Sequence, residues 1–183
     1  MKRSSLYMLL ILLLLGALAY FFTPLGPRAR GYAGRLWSKS AVAFKTDRQL
    51  DENAYRWLLT DIDGNAYNLK KAKGQAIFLN FWATWCGPCL KEMPDIQKLY
   101  DDYGEKVTFL LVTQEDTEKV EAFMKKKNYR LPIYFTDKED IPEEIASKSL
   151  PTTYIIDATG KIVRAETGAT NWNSDEVRRL FEL

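Results

Sequence analysis

The chain has 183 residues, 46% apolar, 27% charged and 13% aromatic, enough for one ordinary domain and an additional segment. Its net charge of +2 hides +2 over residues 1–23, +5 over 24–48 and −5 beyond, so the body lacks the basic face of a nucleic-acid binder. There is no histidine, which excludes Cys–His and Ser–His catalysis, imidazole metal sites and histidine-ligated haem, and two cysteines are too few to close a structural zinc site.

Residues 1–23 read as a membrane-directed segment. Leu6 to Phe22 is uncharged and follows Lys2 and Arg3. At 1.5 Å per residue it reaches about 25 Å, the short limit for a span. Two readings stay open. Tyr20, Phe21 and Phe22 resemble the interfacial belt of an uncleaved anchor, whereas Ala17-Leu18-Ala19 resembles a signal-peptide cleavage site. With no cysteine near it, the leader is not a lipid-attachment signal. Pro24 and Pro27 end it in either case. Residues 24–49 form a basic linker. Ala29, Tyr32, Ala33, Leu36, Trp37, Ala41 and Phe44 recur at steps of three and four, as in an amphipathic helix on an anionic membrane, although a loose basic linker fits equally. Charge counting alone would hold this stretch on the cytoplasmic side, against an exported body.

Residues 50–183 alternate between the two periodicities of regular structure. YRWLL (55–59) and AYNL (66–69) flank a Gly64-containing turn and predict a β-hairpin. After a polar loop at 70–74, residues 76–82 form an almost wholly apolar strand, as in a parallel or mixed sheet buried on both faces. The pattern then predicts a helix to Tyr103, a strand at 107–113, a helix at 117–127, a strand at 133–135 and a short helix at 141–147. Strands at 153–157 and 162–166 surround the turn at 158–161, and a helix at 174–181 closes the chain, capped by Asn173 or Ser174. Lys125-Lys126-Lys127 complements a helix C-terminus. The order describes an α/β sandwich with parallel strands and an antiparallel edge hairpin.

The only cysteines, Cys86 and Cys89, stand two residues apart where the apolar strand meets the first helix. A thiol attacks as thiolate, and the free N–H groups of a helix's first turn stabilise that charge, so Cys86 is the expected nucleophile. Cys89, one turn on, is the resolving thiol. Gly87 is expected to relieve a Cβ clash in the turn, and Pro88 suits a first helical turn, where its missing N–H is not needed. Trp85 would cover the sulfurs and meet a docking peptide, while Trp82 belongs to the core.

The stretch Asn80-Phe81-Trp82-Ala83-Thr84-Trp85-Cys86-Gly87-Pro88-Cys89, followed by Glu92-Met93-Pro94, resembles the thioredoxin-like superfamily, and within it the membrane-anchored TlpA/ResA-type thiol–disulfide oxidoreductases. The resemblance spans about residues 50–183. It implies a thioredoxin-like central mixed sheet flanked by helices, with an added N-terminal hairpin. It also implies a cis-proline at Leu150-Pro151-Thr152, where a substrate segment would pair with the chain. Pro94 would bend the active-site helix. Asn80 replaces the buried aspartate of ordinary thioredoxins, and Glu92, three residues after Cys89, matches a glutamate that assists proton transfer. A solvated helix glutamate is the alternative. The resemblance further implies protein disulfide substrates, with apocytochrome c or other exported proteins among them, and a membrane-bound electron donor. Gly-Pro between the cysteines resembles the reducing thioredoxins, so reduction is the expected direction. A disulfide oxidase or isomerase, or a non-catalytic peptide-binding module, is the rival reading. No cofactor beyond the Cys86–Cys89 pair, no metal and no nucleic acid are expected, and the domain would lie on the extracytoplasmic, periplasmic side.

Overall fold

Strand β4 (Ala76–Phe81) organises the molecule, because its side chains are buried on both faces. The computed structural model describes residues 7, 8, 11, 12, 42–44 and 48–181. Tyr7, Met8, Ile11 and Leu12 are helical and exposed, and belong to a unit separate from residues 40–183. The remaining expectations for the leader, and those for residues 24–41, lie outside the described residues. Among the described residues no helix is long and apolar enough to cross a membrane.

Around β4 an eight-stranded mixed sheet runs in the order β1-β8-β7-β4-β5-β6-β2-β3. The strands are β1 (Val42–Phe44), β2 (Leu58–Asp61), β3 (Ala66–Asn68), β5 (Val107–Thr113), β6 (Ile133–Phe135), β7 (Thr152–Ile156) and β8 (Ile162–Thr167). β4, β5 and β6 are parallel, while β7 runs antiparallel to both β4 and β8. β2 and β3 pair antiparallel, with Leu58 opposite Asn68, and β2 joins the edge of β6. Helices α1 (Gly87–Tyr103) and α2 (Thr117–Lys127) carry the parallel crossovers, and α3 (Asp175–Arg178) follows β8.

Strict alternation divides the core in two. Phe78, Phe109 and Leu111 face α1 and α2, packing against Met93, Ile96, Leu99 and Val120. Ile77, Leu79, Phe81, Leu110 and Val112 point to the opposite face, where Tyr55, Trp57 and Ile145 cover them. A period of two in side-chain direction therefore favours apolar residues on both faces of β4 and β5, and the buried exceptions, Asn80 and Thr113, lie at their C-terminal ends.

Several boundaries differ from the sequence reading, each for a local reason. The first hairpin strand begins at Leu58 instead of Tyr55. Asp51 accepts the Ala54 N–H at 2.7 Å and nucleates a 3-10 turn over Ala54–Arg56. The helix expected at 141–147 is two 3-10 turns, Lys138–Asp140 and Glu143–Ile145. Ile141 precedes Pro142 and is extended at ψ 124°, as a residue before proline tends to be. The closing helix shrinks to α3 with Ser174 as its cap, because Leu180 and Phe181 bond three residues back and tighten the last turn. Val42–Phe44, the end of the stretch considered as an amphipathic helix, is a strand on β8, so β1 closes one edge of the sheet and the antiparallel hairpin β2–β3 the other.

Two turns depend on unusual backbone. Gly160, at φ +87°, closes the β7–β8 connection, and a Cβ there would come within 2.7 Å of the Tyr55 hydroxyl. Asn128 ends α2 at φ 55°, ψ 39°, in the left-handed region. Asn128→Val is expected to cost about 1–2 kcal/mol in urea unfolding, whereas Asn128→Gly keeps the parent midpoint, because a branched Cβ penalises this conformation and glycine does not.

Candidate active site

Beyond β4 the chain turns through buried Trp82 and Ala83 and enters α1 at Cys86. The Cys86 N–H donates to the Ala83 carbonyl at 3.1 Å, closing the turn. Thr84 is pinned from outside by Glu115, whose carboxylate accepts from the Thr84 amide and, at 2.9 Å, from the Thr84 hydroxyl. Burial pushes the Glu115 carboxyl up, but bonds from Lys119 and Thr84 outweigh it and hold it below the usual carboxylate range. The segment that presents the cysteines is thus fixed to the sheet and to the start of α2.

Cys86 is the N-cap of α1, with extended backbone, and its Sγ accepts the Cys89 N–H at 3.3 Å. The two sulfurs form a disulfide, with Cα atoms 5.3 Å apart. Cys86 retains 5% exposure and Cys89 1%, so the first sulfur is the more open of two sheltered atoms. Gly87 and Pro88 are exposed in the first turn, and Trp85 is 69% exposed. The steric reason for Gly87 is not upheld: a Cβ there would meet nothing within 4 Å. Pro94 lies inside α1 on its exposed side. Trp82 is in the core, as expected.

The Leu150–Pro151 peptide bond is cis. The Pro151 carbonyl accepts the Gly168 N–H at 2.9 Å, which ties this loop to the end of β8. Thr152 is buried at the start of β7, and its hydroxyl donates to the Ser149 carbonyl at 2.8 Å. Thr152 is 2% exposed and flanked by Phe81 of β4 and Thr167 of β8, so neither its side chain nor its backbone faces a partner, against the substrate-binding role expected for it. Leu150, partly exposed, and Trp85 line one groove of about 650 Å³ with Phe81, Ala83, Val112 and Ile141. Residues 65 positions apart in sequence, Trp85 and Leu150, are brought to one apolar surface beside the disulfide.

Glu92 lies one turn beyond Cys89 and is 2% exposed, so it is not a solvated helix glutamate. Its Oε1 accepts from Asn80 Nδ2 at 2.9 Å. Its Oε2 accepts from Trp172 Nε1 at 2.9 Å and from the Thr170 amide at 3.2 Å. Asn80 also donates to the Thr153 hydroxyl at 2.8 Å, which fixes its amide orientation. Burial pushes the Glu92 carboxyl up to about 7, and the three donors only partly offset it. A carboxyl poised near neutrality beside a disulfide can accept or return a proton at working pH. Thr170 and Trp172 were not distinguished in sequence. The one available signal was a tryptophan alone in the polar run Thr170-Asn171-Trp172-Asn173-Ser174.

A dithiol–disulfide pair at a helix N-terminus, a cis-proline loop across a groove, and a mixed sheet with parallel crossovers together define a thioredoxin-like oxidoreductase. The chain belongs to the Redoxin family, whose model matches residues 39–181, and within it to the TlpA/ResA-type thiol–disulfide oxidoreductases. It is 35% identical over 140 residues to the thiol-disulfide oxidoreductase ResA of Bacillus cereus, covering 75% of this chain and 81% of that protein. The exposed lipoprotein thioredoxin of Streptococcus pneumoniae superposes with a TM-score of 0.59 at 28% identity, over 69% of this chain and 98% of its own. A thiol:disulfide interchange protein of Chlorobium tepidum shares the fold, with a TM-score of 0.62 at 24% identity over 74% and 98%.

Proposed function

We propose that this protein reduces protein disulfides on the extracytoplasmic side of a membrane, tethered through residues 6–22, with the catalytic domain expected over residues 50–183 extended at its start by β1. The single observation that carries the chemistry is the Cys86–Cys89 pair at the N-terminus of α1, with the Glu92 carboxyl buried one helical turn from Cys89. In the reduced enzyme the Cys86 thiolate, favoured by the helix N-terminus, attacks one sulfur of a substrate disulfide. The substrate S–S bond breaks, and its departing sulfur takes from solvent a proton equivalent to the one Cys86 released on ionising. Cys89 then gives its proton to the Glu92 carboxylate, and its sulfur attacks Cys86 in the mixed disulfide. The second substrate sulfur leaves and is protonated, so the substrate gains two electrons and two protons while Cys86–Cys89 is oxidised. Apart from one solvent proton, the groups named supply every step. Pro88, Trp85, Leu150 and Pro151 would receive the substrate segment, with the Leu150 backbone pairing to it.

The neighbouring pneumococcal protein is a lipoprotein, and this supports extracytoplasmic placement. Such a compartment is oxidising, so a membrane-bound donor must re-reduce the pair. Exported thiol proteins, apocytochrome c among them, are the proposed substrates. Two measurements test the reading. Cys89→Ala, expressed in intact cells, is expected to accumulate mixed disulfides through Cys86, since the resolving thiol is gone. The potential of the Cys86–Cys89 pair is expected near the thioredoxin value of about −270 mV, and a value near about −180 mV would instead assign oxidation or isomerisation.

A further inference from the structure

We infer that Trp172 sets the ionisation of Glu92, acting as a positioning residue through the indole N–H that holds Oε2. The inference rests, for its effect on turnover, on the acid–base role proposed for Glu92.

The buried indole is held by an aromatic ring and a guanidinium, so its N–H has a fixed aim. Trp172 is fully buried, its ring meets Phe78 edge-on at 5.2 Å, and the Arg164 guanidinium lies over it at 5.9 Å. Arg164 is itself anchored, donating from Nε to Glu166 Oε1 at 2.7 Å and from its terminal nitrogen to Glu176 Oε1 on α3 at 3.1 Å. The clamp therefore runs from α3 through β8 to the loop after it, and ends on the carboxyl beneath the disulfide. An indole donates and never accepts, so it bonds Oε2 only as an acceptor. The ionised carboxylate offers a stronger acceptor than the acid, and Trp172 accordingly opposes the effect of burial. Of the groups packed along this path, Asn80, Thr153 and Trp172 do not titrate. The ionisable ones are Arg164, Glu166 and Glu176 on the clamp, joined by Cys89 on the same helix once the disulfide is reduced.

The inference separates Trp172 from a purely structural tryptophan. In the oxidised parent, the ¹⁵N-resolved indole resonance of Trp172 should move with pH through a midpoint near 7, and should stay still in Glu92→Gln. Trp172→Phe keeps an aromatic ring against Phe78 but removes the donor. In that variant the ¹³C-labelled Glu92 carboxyl should titrate about one pH unit higher. Its ionised fraction at pH 7 then drops from about half to about one-tenth, so exchange at pH 7 should slow about fivefold and recover at high pH. An indole resonance flat across this range, or a Glu92 midpoint unmoved in Trp172→Phe, overturns the inference. If Trp172→Phe does not fold, the parent titration decides alone. A moved midpoint with an unchanged exchange profile upholds the inference and removes the acid–base role from Glu92.

Discussion

Serine in place of Cys86 is expected to lower disulfide exchange at least about 1000-fold, with the fold retained. Oxygen cannot replace sulfur here, because a serine hydroxyl stays protonated at neutral pH and forms no mixed disulfide. The N-cap itself survives, since serine is a preferred residue at that position and its oxygen can accept the Cys89 N–H that Cys86 Sγ now receives at 3.3 Å. Loss of activity would then be chemical and not conformational. An insulin-type reduction assay, with far-ultraviolet circular dichroism of the same sample, checks both halves. Residual exchange above a hundredth of the parent rate would mean that Cys89 or another group attacks, and would reverse the assignment of roles to the two thiols.

The second large effect is on stability. Glu92 titrates at about 7 in the oxidised folded protein against an ordinary value of 4.5. A raised carboxyl means that the folded state binds its proton more tightly than the unfolded state does. The favourable contribution is therefore fully present below about pH 4.5 and is lost as pH rises through about 7, amounting to about 3 kcal/mol. Glu92→Gln should remove this slope. Trp172 and Thr170 can donate to the amide oxygen. Asn80 can turn over, so that its own oxygen accepts from the new amide and from the Thr153 hydroxyl. The variant should unfold at higher urea than the parent at pH 8, by as much as about 3 kcal/mol, and match it near pH 4. Parallel stability curves across this range would show that the carboxyl is not held as described. A variant that is more stable yet slower in exchange is the combination expected of a group kept for chemistry at a cost to the fold.

Much of the architecture could be read from residue pattern alone. Strands β5 and β6 and helix α2 carry the ends expected for them, because Val107–Thr113 is a largely apolar run between polar segments, Pro132 precedes Ile133–Phe135, and Thr117–Lys127 has a clear helical period. The errors fall where a single local bond decides. Asp51 turns Ala54–Arg56 into a 3-10 helix, Pro142 divides the segment after β6, and the pairing of Val42–Phe44 with β8 is a long-range match that no local period reveals. The redox pair was visible because its spacing and residue types are unusual, whereas the cis-proline was placed at Leu150-Pro151 by the family resemblance. Glu92 was ambiguous for a different reason. Helical spacing placed it on the face of Cys89, but burial is a property of what packs from elsewhere, here β4 and the loop after β8. Trp172, 80 residues away along the chain, supplies one of its bonds.

Asn80 leaves the underside of the disulfide with one proton-carrying carboxyl. Two acids in such proximity would exchange a shared proton, and their titration would belong to the pair instead of to either residue. With an amide in the second place, the site's response to acidity should trace a simple one-proton curve in the oxidised protein. Departures from that curve on reduction would then report the thiols directly.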